Sequence, residues 1–197
     1  MKNILILLFT LIIACSPDQF YLNPRAVDSE EISGLIIGNL DNVDVYAKNA
    51  LKINDSGMVD LICSYGGITQ FKADMTTNLL DGNGVRFAFR TIMDTYDTHP
   101  SITFDFTTEG CYVNENNISL TKVDSIKAKL GGKSRILIEN YGKLVNIVVD
   151  CDTVYFGPTK LHATEHIIVS PLKSSNVDLS GILFSNMNAD KVNFIIK

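Results

Sequence analysis

The chain has 197 residues, with 17 basic and 22 acidic side chains, no tryptophan and a formal net charge of −5. This length suits one domain with a substantial hydrophobic core. The acidic balance and the lack of a basic stripe argue against nucleic acid as a partner.

The N-terminal fifteen residues have the features of a secretion signal. Lys2 precedes an apolar run from Ile4 to Ile13, which is shorter than the roughly 20 residues that a membrane-spanning helix needs. The ending Ile12-Ile13-Ala14-Cys15 resembles the lipobox of bacterial lipoproteins. The resemblance implies cleavage after Ala14, acylation (palmitate among the chains) of Cys15, and a membrane-anchored protein of the bacterial cell envelope. An ordinary cleaved signal with an incidental cysteine is the alternative.

The next segment, residues 16–31, is predicted to be a tether. It holds two prolines and several charges without a regular period, which is typical of a linker. Ser16, directly after the cysteine, is compatible with the outer membrane or cell surface. The expected organisation is therefore a signal peptide at 1–14, a lipidated N-terminus and tether at 15–31, and a folded domain at 32–197.

From residue 32 onward, short runs rich in Val, Ile, Phe and Thr alternate with Gly, Asn and Asp clusters, a pattern that predicts strands. In the clearest run, 85–92, alternation puts Val85, Phe87 and Phe89 on one face and Arg86, Ala88 and Arg90 on the other. Residues 124–130 favour a helix, although they also alternate like a strand. The other predicted strands are 34–40, 43–46, 59–65, 68–71, 101–106, 111–113, 118–123, 135–138, 144–149, 153–156, 166–169, 177–184 and 192–196. So many short strands predict an antiparallel sandwich or barrel.

Four segments in order resemble a known superfamily. They are Gly84–Arg90, the strand end Thr103-Phe104-Asp105-Phe106, the segment Asn140–Asp150 with its tight turn, and Ser180-Gly181-Ile182-Leu183-Phe184. This order is similar to the concanavalin A-like lectin/glucanase superfamily in its laminin-G-like bacterial forms. The resemblance implies an all-β, antiparallel, two-sheet jelly-roll sandwich with one concave sheet, and a role in carbohydrate binding.

The chain departs from the glucanase branch, because it has no E-x-D-x-x-E run. Its nearest paired carboxylates, Asp105 and Glu109, would lie about 13 Å apart on an extended strand, wider than the roughly 5–10 Å used in glycoside hydrolysis. We therefore expect a non-catalytic binding or structural module that engages a glycan or an envelope protein. The alternatives are a glycan-processing enzyme of the same superfamily and a structural subunit of a surface complex.

The candidate ligand-binding residues are two arginines, one aspartate and two tyrosines. Arg86 and Arg90 are predicted to share a strand face, with Asp105 across from them. Tyr96 lies in the loop 94–99 that would edge this face, and Tyr141 stands near the position of the family's usual tryptophan. Arginine forks suit sugar hydroxyls or a carboxylate ligand, and a solvated, salt-linked face is the alternative interpretation.

No motif requires a cofactor or a metal. His162 and His166 are four residues apart, but HExxH and CxxC are absent, so a zinc site has little support. Two oxygen-rich turns, Asp81–Gly84 and Asp150–Asp152, are the only candidates for calcium, and neither has the ligand spacing of a complete loop.

The cysteines cannot all pair within one chain if Cys15 is lipidated, since three remain: Cys63, Cys111 and Cys151. We expect them to act as small apolar core residues. One disulfide, with Cys111–Cys151 as the first choice, is the alternative.

Overall fold

The computed structural model describes residues 35–38, 42–47, 49–63, 71–90, 101–161 and 166–186. Within these ranges the chain forms strands and no helix, which confirms the all-β prediction. The prediction of a helix or a strand over 124–130 is wrong. This stretch is irregular apart from one bridge between Leu130 and Leu79. Among the described residues, a helix long and apolar enough to span a membrane is not found.

The first sheet contains seven strands. They are β1 (Leu35–Gly38), β4 (Val59–Cys63), β6 (Gly84–Phe89), β7 (Ile102–Thr107), β8 (Cys111–Glu115), β9 (Ile118–Val123) and β13 (His166–Leu172). Their spatial order is β1-β4-β13-β6-β7-β8-β9, and every neighbouring pair is antiparallel.

The second sheet also contains seven strands. They are β2 (Val43–Ala47), β3 (Ala50–Ile53), β5 (Phe71–Asp81), β10 (Lys133–Tyr141), β11 (Leu144–Val149), β12 (Asp152–Pro158) and β14 (Asn176–Asn186). Their order is β12-β11-β10-β5-β14-β3-β2, again antiparallel throughout. A register shift in β14 between Ser180 and Leu183 coincides with the positive φ of 60° at Gly181, a conformation that glycine adopts readily.

The core lies between the two sheets and consists of their inward-facing side chains. In the first sheet, Phe87 of β6 and Phe104 of β7 are cross-strand partners whose rings stack with centroids 5.7 Å apart. The alternation that predicted Val85, Phe87 and Phe89 on one face is thus confirmed, since all three are buried in this core. Burying such side chains contributes about 1.5–3 kcal/mol each.

Two strands of the second sheet were missed by sequence reasoning, β3 and most of β5. In β5, Phe71, Ala73, Met75 and Leu79 face the core at every second position. The strand was overlooked because its Ala, Asp and Asn residues have low β-propensity. The only sequence signal for it is the alternation of apolar and polar residues at every second position. The predicted strand at 192–196 lies outside the described residues.

Cys111 and Cys151 are both free thiols, so the suggested Cys111–Cys151 disulfide is wrong. Cys111 is buried in the core on β8, whereas Cys151 is exposed in the turn between β11 and β12. The Cys111 thiol donates to the carbonyl oxygen of Ile126 at 3.4 Å, and burial raises its pKa to about 12. Cys111 therefore acts as a core residue; the side chain of Cys63 lies outside the described part of the chain.

Candidate functional site

Arg86 and Asp105 form a bidentate ion pair on the outward face of the first sheet. They are cross-strand partners on β6 and β7, with Nε 2.7 Å from Oδ1 and Nη2 2.8 Å from Oδ2. The predicted position of Asp105 across from Arg86 is confirmed. Parallel N–H···O bonds of this kind combine charge with a fixed planar geometry.

This pair lies at the centre of a line of polar side chains, which we call the polar row. The row follows the cross-strand register over five strands and consists of Ser170, Arg86, Asp105, Tyr112 and Lys122. The side chains of Arg86 and Asp105 are 28% and 13% exposed. The polar row therefore presents charged and aromatic groups at a partly open surface.

The neighbouring positions on the same face are small and buried. Ala88 and Thr103 are cross-strand partners next to Arg86 and Asp105, with 0% and 7% of their surface exposed. At the far end of the polar row, the Lys122 ammonium lies 5.7 Å from the ring centroid of Tyr112 and 3.1 Å from Oδ1 of Asp124. The ion pair thus stands beside small residues that are themselves closed from solvent.

Arg90 does not lie on the face of Arg86, so that prediction is wrong. Its φ of 57° is left-handed, which ends the strand alternation directly after β6. The side chain is 1% exposed and donates to the carbonyl oxygens of Gly142, Leu144 and Leu161. Burial lowers its pKa to about 10, with Glu115 acting in the opposite direction. Arg90 therefore holds the two sheets together and does not contribute to the polar row.

The predicted tyrosines do not join the polar row in the described structure. Tyr141 is the last residue of β10, in the second sheet, and is 3% exposed. Tyr96 lies outside the described residues. The tyrosine that does lie beside Asp105 is Tyr112, which sequence reasoning missed, although the alternation Cys111-Tyr112-Val113 was available to place it on the outward face.

Asp105 and Glu109 are not brought together as a carboxylate pair. Both oxygens of Asp105 accept bonds from Arg86. Glu109 lies in the turn after β7, where its backbone amide donates to Oγ1 of Thr107 at 3.1 Å, and its side chain is exposed. The two carboxylates therefore have different surroundings, since Asp105 is bonded to Arg86 and Glu109 is exposed in the turn at 107–110.

The two oxygen-rich turns do not fit a calcium ion. Both carboxylate oxygens of Asp81 accept bonds from Asn176, and Oδ1 of Asp150 accepts the backbone amide of Arg135 at 2.9 Å. These oxygens accept hydrogen bonds from protein N–H groups. They are not arranged as the set of six to eight oxygen ligands that a calcium ion takes. In the part of the chain that the structure describes, no group of three or more His, Cys, Asp or Glu side chains could hold a metal.

Comparison with known proteins gives similarity in structure only. No family model and no curated protein matches the sequence. The carbohydrate-binding module CBM66 from Bacillus subtilis aligns with a TM-score of 0.54 and 12% identity, over 78% of this chain and 93% of that one. A putative glycosyl hydrolase from Parabacteroides distasonis ATCC 8503 aligns with a TM-score of 0.56 and 12% identity, over 80% and 98% of the two chains.

The exoplasmic/lumenal domain of VIP36 in its Ca²⁺/Man-bound form aligns with a TM-score of 0.57 and 10% identity, over 79% of this chain and 90% of that one. Identities of 10–12% show that these proteins share a fold with this chain. They do not show a shared function, because one fold can support many functions. The chain is therefore an antiparallel two-sheet sandwich of the concanavalin A-like type, the fold that it shares with these proteins.

Proposed function

We propose that this chain is a membrane-anchored envelope lipoprotein whose sandwich domain binds a glycan, without cleaving it, through the polar row. The observation that carries the proposal is the bidentate pair of Arg86 and Asp105 on a partly exposed sheet face. The names of two similar structures, a carbohydrate-binding module and a Man-bound domain, support the ligand class.

The chemistry of the pair suits sugar hydroxyls, which both donate and accept hydrogen bonds. Each oxygen of Asp105 accepts one bond from Arg86, and a carboxylate oxygen can accept a second. Tyr112, the next member of the polar row, adds a phenol group and a ring face. A single hydrogen bond contributes about 0.5–1.5 kcal/mol, so useful affinity requires several of these contacts at once.

The anchor is the second part of the proposal. Acyl chains on Cys15 would contribute roughly 0.8 kcal/mol per buried CH₂, and more than one chain is needed for stable attachment. Residues 16–31 would then hold the sandwich away from the lipid surface, at the outer membrane or cell surface. Membrane fractionation of the Cys15→Ser variant tests this: the variant should move to the soluble fraction, and unchanged membrane association would refute lipidation.

A glycan array probed with the full-length chain in detergent tests the ligand class. We expect binding to a subset of glycans, which are recovered uncleaved. Asp105→Asn and Arg86→Lys should each weaken binding by about tenfold, because both lose the planar ion pair. Arg135→Lys is the matched control, since Arg135 forms a comparable pair with Asp74 on the other sheet.

Two results would contradict the proposal. Absence of binding to every glycan on the array would direct attention to a protein ligand at the envelope. Release of shortened glycan products would replace the binding role by a catalytic one.

A further inference from the structure

The second sheet ends in a strand that exposes three apolar side chains in a row. Val45, Tyr46 and Ala47 of β2 are all exposed, with 47% of Val45 and 59% of Tyr46 open to solvent. The other large apolar side chains that are exposed in the described chain, among them Ile118 and Phe156, stand singly in the sequence. Single exposed apolar residues are ordinary, whereas a run of three on an edge strand indicates contact with something outside the domain. We call Val45, Tyr46 and Ala47 the β2 patch.

The exposure of Tyr46 coincides with an irregularity in the strand. Val45 pairs with Leu51 of β3 and Ala47 pairs with Ala50, so the register shifts at Tyr46. Bulges of this kind redirect side chains and are common at sheet edges. Because β2 is the last strand of its sheet, the β2 patch lies on the rim of the sandwich.

The β2 patch lies on the side of the sandwich where the N-terminal segment enters the fold. On the opposite side β9 of the first sheet contacts β12 of the second, and in the middle β6 contacts β5. The strand orders of the two sheets therefore run side by side, and β1 and β2 lie at the same rim. Since β1 is the first strand and begins at Leu35, this rim is the one nearest to Cys15 along the chain.

We propose that the β2 patch contacts the lipid surface to which the chain is anchored, so that the β1–β2 rim of the sandwich faces the membrane. The inference rests on the proposed anchor at Cys15 and adds a lipid-contacting surface and an orientation to it. A coil as long as residues 16–31 spans roughly 20–25 Å, which keeps this rim within reach of the bilayer. Tyrosine suits such a contact, because its ring is apolar and its hydroxyl bonds at the level of the headgroups.

The anchor makes the contact intramolecular, so a weak attraction is sufficient. A short linker holds its two ends at an effective concentration on the order of millimolar. The charges around the β2 patch also balance: Asp44 lies opposite Lys52 of β3, and Asp178 of β14 is the other partner of Lys52. Lys48 follows Ala47 in the sequence. We therefore expect an apolar contact that does not require anionic lipid.

This orientation leaves the polar row clear of the lipid. Asp105 lies on β7, which is four strands from β1 in the first sheet. At a strand spacing of about 4.8 Å, this places Asp105 about 19 Å from the rim. The bulk of the sandwich then stays off the membrane, and the polar row remains open to a ligand.

The lack of tryptophan in the chain allows a direct test. Tyr46→Trp and Phe156→Trp each introduce one fluorescent reporter at an exposed aromatic position, on β2 and β12 at opposite edges of the second sheet. The lipidated full-length chain is reconstituted into phosphatidylcholine/phosphatidylethanolamine vesicles whose acyl chains carry bromine, which quenches tryptophan on contact. Relative to unbrominated vesicles, we expect the emission of Tyr46→Trp to fall about twofold and that of Phe156→Trp to stay nearly unchanged. Adding Val45→Asp to Tyr46→Trp should remove most of this quenching, because a charge disfavours transfer to an apolar environment.

Co-sedimentation of the same samples with the vesicles separates this inference from the anchor. A chain that sediments but shows equal quenching at both positions, or none at Tyr46→Trp, would overturn the contact and leave the anchor in place. Quenching that requires phosphatidylglycerol and disappears at high salt would show an electrostatic contact and overturn the apolar one. A chain that does not sediment would remove the anchor and this inference together, while glycan binding by the polar row is measured independently on the array.

Discussion

Nη1 of Arg90 donates a hydrogen bond to the carbonyl oxygen of Gly142 at 2.8 Å, and so joins the end of β6 in the first sheet to the β10–β11 turn of the second. The same guanidinium also bonds the carbonyl oxygens of Leu144 and Leu161. A single buried cation thus donates to three backbone carbonyl oxygens at this edge of the sandwich.

Replacing Arg90 with leucine should therefore destabilise the domain. The change leaves three carbonyl oxygens without their charged donor, and we expect the free energy of unfolding to fall by about 2–4 kcal/mol. Denaturant unfolding of the two proteins measures the difference. Arg90→Lys should recover part of the loss, because an ammonium can bond some of these carbonyls but lacks the planar fork.

Lys122→Leu provides the control for Arg90. Lys122 pairs with Asp124 at 3.1 Å and both side chains are more than half exposed, where such pairs contribute little to stability. A loss as large as that of Arg90→Leu would show that the effect of Arg90→Leu does not come from its buried contacts between the sheets.

Ser175 supports the tight turn that leads into β6. It is fully buried, and its Oγ accepts the backbone amides of Asn83 and Gly84 at 2.8 and 3.2 Å. Ser175→Ala leaves both amides unpaired, so we expect a loss of about 1–3 kcal/mol in thermal or denaturant unfolding. The exposed Ser125→Ala is the control; equal effects of the two changes would show that the Ser175 hydroxyl is dispensable.

The strand positions could be predicted from the sequence because alternation is a local property. The run 144–149 is a strand with the predicted bounds, and Arg86 and Asp105 are partners because both lie on outward positions of adjacent strands. The position of Arg90 could not be predicted in this way. Its left-handed φ is set by tertiary contacts with carbonyls 50 or more residues away, which strand periodicity does not contain.

The surroundings of Glu139 on β10 were not predicted, for a related reason. Alternation alone puts Leu137, Glu139 and Tyr141 on one face of a strand, but the face looks amphipathic and therefore solvent-exposed. The pairing of Glu139 with Asn146 depends on the register of β10 against β11. Register is a long-range property that the periodicity of a single strand leaves open.

The two described free cysteines should differ in reactivity. Burial raises the pKa of the Cys111 thiol to about 12, and the thiolate is the reactive form, whereas Cys151 is exposed. Iodoacetamide at pH 8 should therefore label Cys151 in the folded protein and Cys111 only after unfolding, as read by peptide mass spectrometry. In denaturant without reductant both should be labelled; protection of both until reduction would indicate that they are disulfide-bonded.

The stability of the domain should depend on the protonation of Glu139. Burial raises the pKa of this carboxyl from 4.5 to about 6, with the bond from Asn146 acting in the opposite direction. A carboxyl with a raised folded-state pKa favours the folded state in its protonated form. Its contribution is thus fully present below about pH 4.5 and is lost as the pH rises through about 6. The shift corresponds to about 2 kcal/mol.

The Glu139→Gln variant isolates this contribution, because glutamine has a similar shape and does not titrate. Between pH 4 and pH 7, the unfolding free energy of the unmodified protein should fall by about 2 kcal/mol relative to that of the variant. Glu109→Gln, the same chemical change at an exposed turn, controls for the general effect of removing a carboxylate. A pH-independent difference between the unmodified protein and Glu139→Gln would contradict the prediction, because it would show that folding does not raise the pKa of Glu139.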